Sequence, residues 1–305
     1  MLPYVLRKSA FTLVVILGAA TCSFLLLQAL PGDPAEALAG PQATHEDVQH
    51  LRTMLGLDRP IAVRYAIYMG NLIRGDLGRS YRTNRPVSQE IASRWPATFS
   101  LSLTSLLVAV SVGVPLGVAA AVRRRTWVDT GSMVGSLVGV SMPSFWLALI
   151  LIILFSVKLK LLPFVGRDTV SSYILPSLTI GLGVAANIAR LTRASMLDVL
   201  RQDYIRTSRA KGLSMLRVLY VHALRNASIP IATIVGLQMG TLLGGQVVTE
   251  TVFAWPGVGR MIVDALLTRD LLLVQGGVLV LAVTFAVVNL LTDLAYGLLD
   301  PRIRF

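Results

Sequence analysis

The chain is 305 residues long, with 54% of them hydrophobic and only 14% charged. A soluble globular domain carries about 25% charged residues, so this composition, with a mean hydropathy of +0.68, excludes an ordinary soluble domain and points to a polytopic membrane protein. The net charge of +12 does not signal nucleic-acid binding, because the basic residues lack interleaved aromatics for base stacking and membrane proteins gather Lys and Arg in cytoplasmic loops.

The N-terminal stretch carries Arg7 and Lys8 ahead of an apolar run that reaches Leu30. A secretory signal has a shorter apolar core of about 7–15 residues, so this run reads as a retained first transmembrane helix. Its one cysteine, Cys22, is the only one in the chain and leaves no intramolecular disulfide. Six apolar segments, 10–30, 99–122, 132–157, 174–195, 227–249 and 272–297, meet or approach the roughly twenty residues that span hydrocarbon. They must be helical, because the bilayer core offers no water to backbone polar groups. Asn187, Arg190 and Arg193 crowd the second half of the fourth segment, which is expected to leave the bilayer near Ala189.

Pro115, Pro143, Pro176 and Pro230 place one proline in each of the second to fifth segments, where kinks or breaks are expected. Gly131, Gly135 and Gly139, and again Gly236, Gly240 and Gly244, recur at four-residue spacing. Such faces serve close helix packing, or an interface that slides when a pathway opens.

The basic residues orient the chain. With a cytoplasmic N-terminus, the inside holds Arg7, Lys8, Arg123, Arg124, Arg125, the eight basic residues from Arg190 to Arg225, Arg302 and Arg304, which is 15 of the 28. Eight of the other 13 lie in one long segment, 31–97, and long translocated segments weigh little in the positive-inside rule. Both termini are therefore expected in the cytoplasm. The predicted fold is an all-α polytopic membrane protein of six transmembrane helices. Residues 1–30 form the N-terminus and first helix, 31–97 an extracytoplasmic cap, and 98–305 a five-helix core with cytoplasmic helices at 198–225 between helices four and five.

Within the cap, Thr44 is placed to cap a helix, with Asp47 completing a capping box, and Gly75-Asp76-Leu77-Gly78 is turn-forming. His45 and His50 imitate a zinc-protease pair, but they stand five apart where one helix face needs four. That stretch reads as a solvated helix face. His222 has no Cys or carboxylate at ligand spacing, so no metal site is expected. No P-loop pattern is present, and any ATP hydrolysis would fall to another polypeptide.

Polar residues inside spans are costly and mark pathways or buried pairs. Asn187, Gln238 and Gln246 are the pathway candidates, with Glu250 and Asp293 near helix ends. The stretch 198–224 reads as a helix, a break at Gly212 where positive φ is tolerated, and a second helix over 218–224. It is either a plain loop or a docking element for a partner's groove.

At that stretch the chain resembles the inner-membrane permeases of the binding-protein-dependent ABC importers. Their signature of Glu-Ala-Ala, three residues and a glycine is matched by Arg206-Thr207-Ser208 and Gly212, a departure at the three leading positions. "DYIRTSRAKGLS" at 203–214, followed by "HALRNASIP" at 222–230, is similar to the variant of the peptide/nickel subgroup. The same subgroup is matched by "LPGDP" at 30–34, "LGLDRP" at 55–60, "SMPSFW" at 141–146, "ILPSLT" at 174–179, "ETVFAWPGVGR" at 250–260 and "LDPRIR" at 299–304.

The resemblance implies a permease subunit of the bacterial inner membrane that has no catalytic site and binds no cofactor itself. Its partners would be a second, related permease, two ATP-binding subunits, identical or different, that use ATP and Mg, an extracytoplasmic solute-binding protein, and membrane lipid. Asp203, Arg206, Thr207, Ser208, Ala210, Lys211 and Gly212 would form the region through which an ATPase couples. Phe253, Trp255, Pro256 and Gly257 would face the binding protein. The implied cargo is a dipeptide or oligopeptide moved inward by alternating access, with glutathione, nickel or a metal chelate as alternatives.

Two other classes fit less well. A self-contained secondary transporter would show inverted repeats with broken helices in corresponding halves, and no repeat is visible. An intramembrane enzyme would need a nucleophile–base or metal set inside the spans, which three histidines, none clearly within a span, do not supply.

Overall fold

The computed structural model describes residues 2–29, 34–39, 43–54 and 56–299. Outside the described residues lie 30–33 of the first family string, Leu55, and residues 300–304 of the terminal string with Arg302 and Arg304. The described chain is built of helices and carries one isolated antiparallel bridge, Arg79 to Pro86. Among the described residues, five helices are long and apolar enough to cross a membrane, and a sharply bent pair makes up to six crossings.

The first crossing is α1 (Leu2–Ala29), which starts ahead of Arg7 and Lys8 rather than after them. The cap follows as α2 (Pro34–Ala39), α3 (His45–Met54) and α4 (Ile61–Ile73). The expected capping box forms at α3: Asp47 N–H donates to Thr44 Oγ1 at 3.3 Å, and Thr44 N–H donates back to Asp47 Oδ2 at 2.9 Å. Gly75 and Gly78 take positive φ, +75° and +82°, in the expected turn. α4 clasps the end of α1 through Tyr65 and Tyr68, whose rings lie 5.3 and 5.6 Å from Phe24.

The core is the crossing of α5 (Val87–Val122) and α8 (Ile174–Leu200), which pack along much of their length. Glycine makes the close approach physically available. A Cβ on Gly113 would stand 2.7 Å from the Ala185 carbonyl oxygen, and one on Gly117 2.5 Å from that of Ala189. α8 runs unbroken past Ala189 to Leu200, so the helix itself continues beyond the point where the chain is expected to leave the bilayer. Arg193, on its last turns, pairs with Asp129.

The third segment is not one straight span. α6 (Trp127–Ser141) and α7 (Ser144–Leu151), prolonged by a π-helical turn at Ile152–Lys158, meet at 102°. Pro143 is the cause: the residue before a proline is driven out of the helical region, and Met142 is extended at φ −80°, ψ 122°.

Beyond α8 lie α9 (Asp203–Ala210) and α10 (Met215–Arg217), which continues through a π-helical turn, Val218–Ala223, into α11 (Leu224–Leu243). The separate helix expected over 218–224 is therefore the first part of the fifth crossing, and that crossing ends at Leu243, not 249. Two short helices, α12 (Val247–Val252) and α13 (Val258–Leu267), precede the last crossing, α14 (Leu271–Leu299). The Gly236 and Gly240 face packs on α14, where a Cβ would crowd Thr292 and Asn289, while Gly131 and Gly135 face open space.

Candidate functional site

Two constructions stand at opposite ends of α5, separated by on the order of 35 Å between Thr98 and Ala121 at 1.5 Å per residue. The first is the elbow between α8 and α11. α9 is amphipathic, and its one buried residue, Ile205, is 1% exposed. Ile205 packs with Ala121 of α5, Met196 of α8, and Val218 and Leu219 at the root of the fifth crossing. The elbow is thus pinned by one apolar peg to three spans.

Gly212 closes α9 with φ +78°. Its N–H donates to the Arg209 carbonyl at 3.0 Å, and the Leu213 N–H reaches the Ser208 carbonyl at 3.4 Å. These paired bonds define the Schellman stop, in which the left-handed residue is usually glycine. Leu213 then folds back onto the Ile205 cluster. Asp203, Arg206, Thr207, Ala210, Lys211 and Gly212 are exposed, and Ser208 is half-buried with its hydroxyl donated to the Tyr204 carbonyl. The seven sequence-predicted residues therefore share one short, outward-facing element. Beside them Tyr204, Leu216 and Tyr220 present apolar surface. Arg206 and Asp203 approach to only 3.7 Å on open surface, a pair that adds little stability.

A second contact braces the same end. Arg193 grips Asp129 with two nitrogens, at 2.5 and 2.9 Å, and the Arg125 N–H donates to that carboxylate at 3.0 Å. This ties the start of α6 to the last turns of α8, next to the elbow.

The opposite construction is centred on Glu250, which is fully buried. Its carboxylate accepts from Thr98 Oγ1 at 2.8 Å and from the Arg260 N–H at 3.0 Å. Burial raises the Glu250 pKa above its ordinary value; the bonds from Arg260, Thr98 and Gly259 oppose that shift without cancelling it. Thr98 also accepts from the Val258 N–H at 2.8 Å, and Trp255 Nε1 donates to the Ala97 carbonyl at 2.9 Å. A Cβ on Gly257 would overlap the Glu250 carboxylate, so only glycine lets the chain wrap this closely. The "ETVFAWPGVGR" string is a clamp that fixes α12 and α13 to the start of α5.

This arrangement corrects the expectation that Phe253, Trp255 and Gly257 themselves face a binding protein. Phe253 and Trp255 are 1% and 0% exposed, Gly257 is buried, and Pro256 is half-buried. Their side chains hold the clamp together, because aromatic groups of this size gain most by leaving water. The three pathway candidates are half-buried and not bonded to one another. Asn187 accepts from Arg190 at 2.7 Å, Gln238 accepts from Thr241 at 3.3 Å, and Gln246 precedes α12.

Ile205, Thr98 and the Asp129–Arg193 pair were not among the sequence candidates. Ile205 carried a usable signal, as an aliphatic residue within an otherwise polar stretch flanked by charges. Thr98 and Asp129 carried none, since their partners are 152 and 64 residues away.

Comparison with known proteins supports this architecture. Residues 113–305 match the family described as "Binding-protein-dependent transport system inner membrane component", and residues 1–102 match its N-terminal region. Glutathione transport system permease proteins GsiC from Salmonella choleraesuis and Escherichia coli K12 are 46% and 45% identical over 305 residues, covering the whole of both chains. Among solved structures, an inward-facing MetNI methionine ABC transporter matches with TM-score 0.56 at 17% identity, over 70% of this chain and 97% of that one. An amino acid ABC transporter crystallised with histidines matches with TM-score 0.52 at 13% identity, over 71% and 95%; both show the shared fold alone. The chain belongs to the binding-protein-dependent transport system inner membrane components, as a multi-pass permease subunit of an ABC importer.

Proposed function

We propose that this permease carries short peptides of about the size of glutathione inward by alternating access, driven by ATPase subunits that dock on the elbow at 203–212. The observation that carries the substrate reading is the full-length similarity to the glutathione permeases. Glutathione is itself a tripeptide, so the peptide and glutathione expectations meet in one chemical class. The coupling reading rests on an exposed helix, ended by a left-handed glycine and pegged by Ile205 to three spans. A push on α9 is delivered directly to the ends of α5, α8 and α11.

In this reading a docked ATPase dimer shifts the permease between two states by preferring one of them. A second permease subunit completes the pathway, and a solute-binding protein delivers cargo at the end that carries the Glu250 clamp. Both termini then lie on the elbow side, in the cytoplasm.

The test is uptake into proteoliposomes holding the assembled transporter, its binding protein and internal ATP. Labelled glutathione is expected to accumulate, with unlabelled tripeptides competing and free amino acids failing to compete. Accumulation of an unrelated solute, with no effect of glutathione, would overturn the substrate reading. Uptake by this chain alone, insensitive to ATP, would overturn the machinery.

A further inference from the structure

The third crossing runs from the elbow end of the molecule to the clamp, and its two arms are tied down in different ways. α6 buries two of its residues, Asp129 and Ser136, and both are polar. Ser136 turns its hydroxyl to its own helix, donating to the Ser132 carbonyl at 2.8 Å. A Cβ at Gly131 or Gly135 would meet nothing within 4 Å. No large apolar side chain therefore seats α6 in the way that close packing locks a core helix. Among the described residues, what reaches from α6 to another helix through polar atoms is the Asp129 carboxylate, gripped by two Arg193 nitrogens. A two-point guanidinium contact fixes direction as well as distance. Arg193 stands three residues before Met196, which is fully buried and packs with Ile205 of α9. The pair thus links α6 to the cluster that seats the elbow.

The other arm is seated by apolar contacts. Ala148 of α7 and Ile152 of the π-helical turn pack with Leu175 at the start of α8 and with Phe253 of the clamp, all four buried. Between the arms the chain passes through Met142, extended at φ −80°, ψ 122°, and Pro143, from which α7 starts. Element-terminal residues of this kind absorb backbone rotation in hinged structures.

We propose that the third crossing is a jointed arm of the transport cycle. The Asp129–Arg193 pair passes movement of the elbow to α6, and the joint at Met142–Pro143 converts it into a change of angle against α7, whose far end is held at the clamp. Asp129 and Arg193 are then positioning residues for transport, acting through α6. This inference rests on the coupling reading of the elbow, and adds the route by which elbow movement reaches the opposite end of the molecule.

The experiment uses the assembled transporter in proteoliposomes and measures the distance between spin labels at the two arm ends, with and without ATP and vanadate. The labels sit on Trp127→Cys and Val157→Cys, both exposed positions, in a Cys22→Ser background. A change of about 15° in the bend moves the ends of two 15-residue arms by about 4 Å at 1.5 Å per residue, and a shift of that order is expected on trapping. Asp129→Asn and Arg193→Gln are each expected to remove most of the shift while the complex goes on hydrolysing ATP, and the double variant to do no more than either alone. A pair that only stabilises the fold leaves the shift intact in the surviving complexes, and an undiminished shift in both variants would overturn its assignment. A wild-type transporter that hydrolyses ATP with no change in the distance would overturn the joint. Gly212→Trp separates the two readings. Full uptake by that variant sinks the coupling reading and the arm with it, whereas blocked uptake beside an undiminished shift in Asp129→Asn sinks the arm alone.

Discussion

The clamp around Glu250 and the elbow around Gly212 are built on opposite plans, although both hang from α5. In the clamp the Glu250 carboxylate, the Trp255 N–H and the Thr98 hydroxyl are buried and each finds partners inside the chain. In the elbow one apolar peg is buried and the polar groups face outward. A fully satisfied buried polar network rigidifies and specifies one arrangement. An exposed helix held by a single side chain keeps its polar surface for something else. Under the proposed function, the difference separates an element that holds the fold from one that would receive a partner.

The comparison is broken most severely at Gly257. Gly257→Val forces a side chain into the Glu250 carboxylate, at a cost on the order of 3 kcal/mol for overpacking, and is expected to remove most folded protein from the membrane fraction. Thr98→Val deletes one donor to Glu250 and one acceptor for Val258. It should cost about 2 kcal/mol from two buried bonds, read as a lower melting midpoint with α13 exchanging amide hydrogens faster.

Asp129→Asn leaves Arg193 with a neutral partner beside the elbow. About 1.5 kcal/mol is expected from a weakened charge-assisted contact, and faster exchange should appear in α6 rather than α13. Gly212→Ala is the mildest of the four. Nothing lies within 4 Å of an added Cβ, so only the left-handed backbone is penalised, by about 1 kcal/mol. If Gly212→Ala proved as damaging as Gly257→Val, the two ends would not differ in kind.

The spans were readable because hydrophobic length is a one-dimensional property. The α9 stop was readable as well, since Gly212 sits at the position where a helix turns left-handed. What the sequence could not supply was partnership across distance. Asp129 reads as an ordinary first-turn acid until Arg193 is brought beside it. Trp255 and Phe253 were expected to face a binding protein on the strength of the family resemblance alone. Their burial follows from Ala97, Thr98 and Glu250, residues whose proximity no local pattern contains. Pro143 lay between: it announced a break in the third segment, but not the 102° size of the bend.

The central claim is that the elbow transmits the partner's ATP cycle to the spans, and Gly212→Trp tests it most directly. Nothing lies within 4 Å of a Cβ at Gly212, so the added side chain is penalised mainly through the left-handed backbone, while its surface would obstruct a docking partner. The measurement is ATP-driven uptake in proteoliposomes containing the variant transporter, with assembly of all subunits checked by co-purification. The predicted result is a chain inserted in the membrane at normal levels whose transporter takes up no substrate. Full uptake by a stably assembled Gly212→Trp transporter would contradict the account.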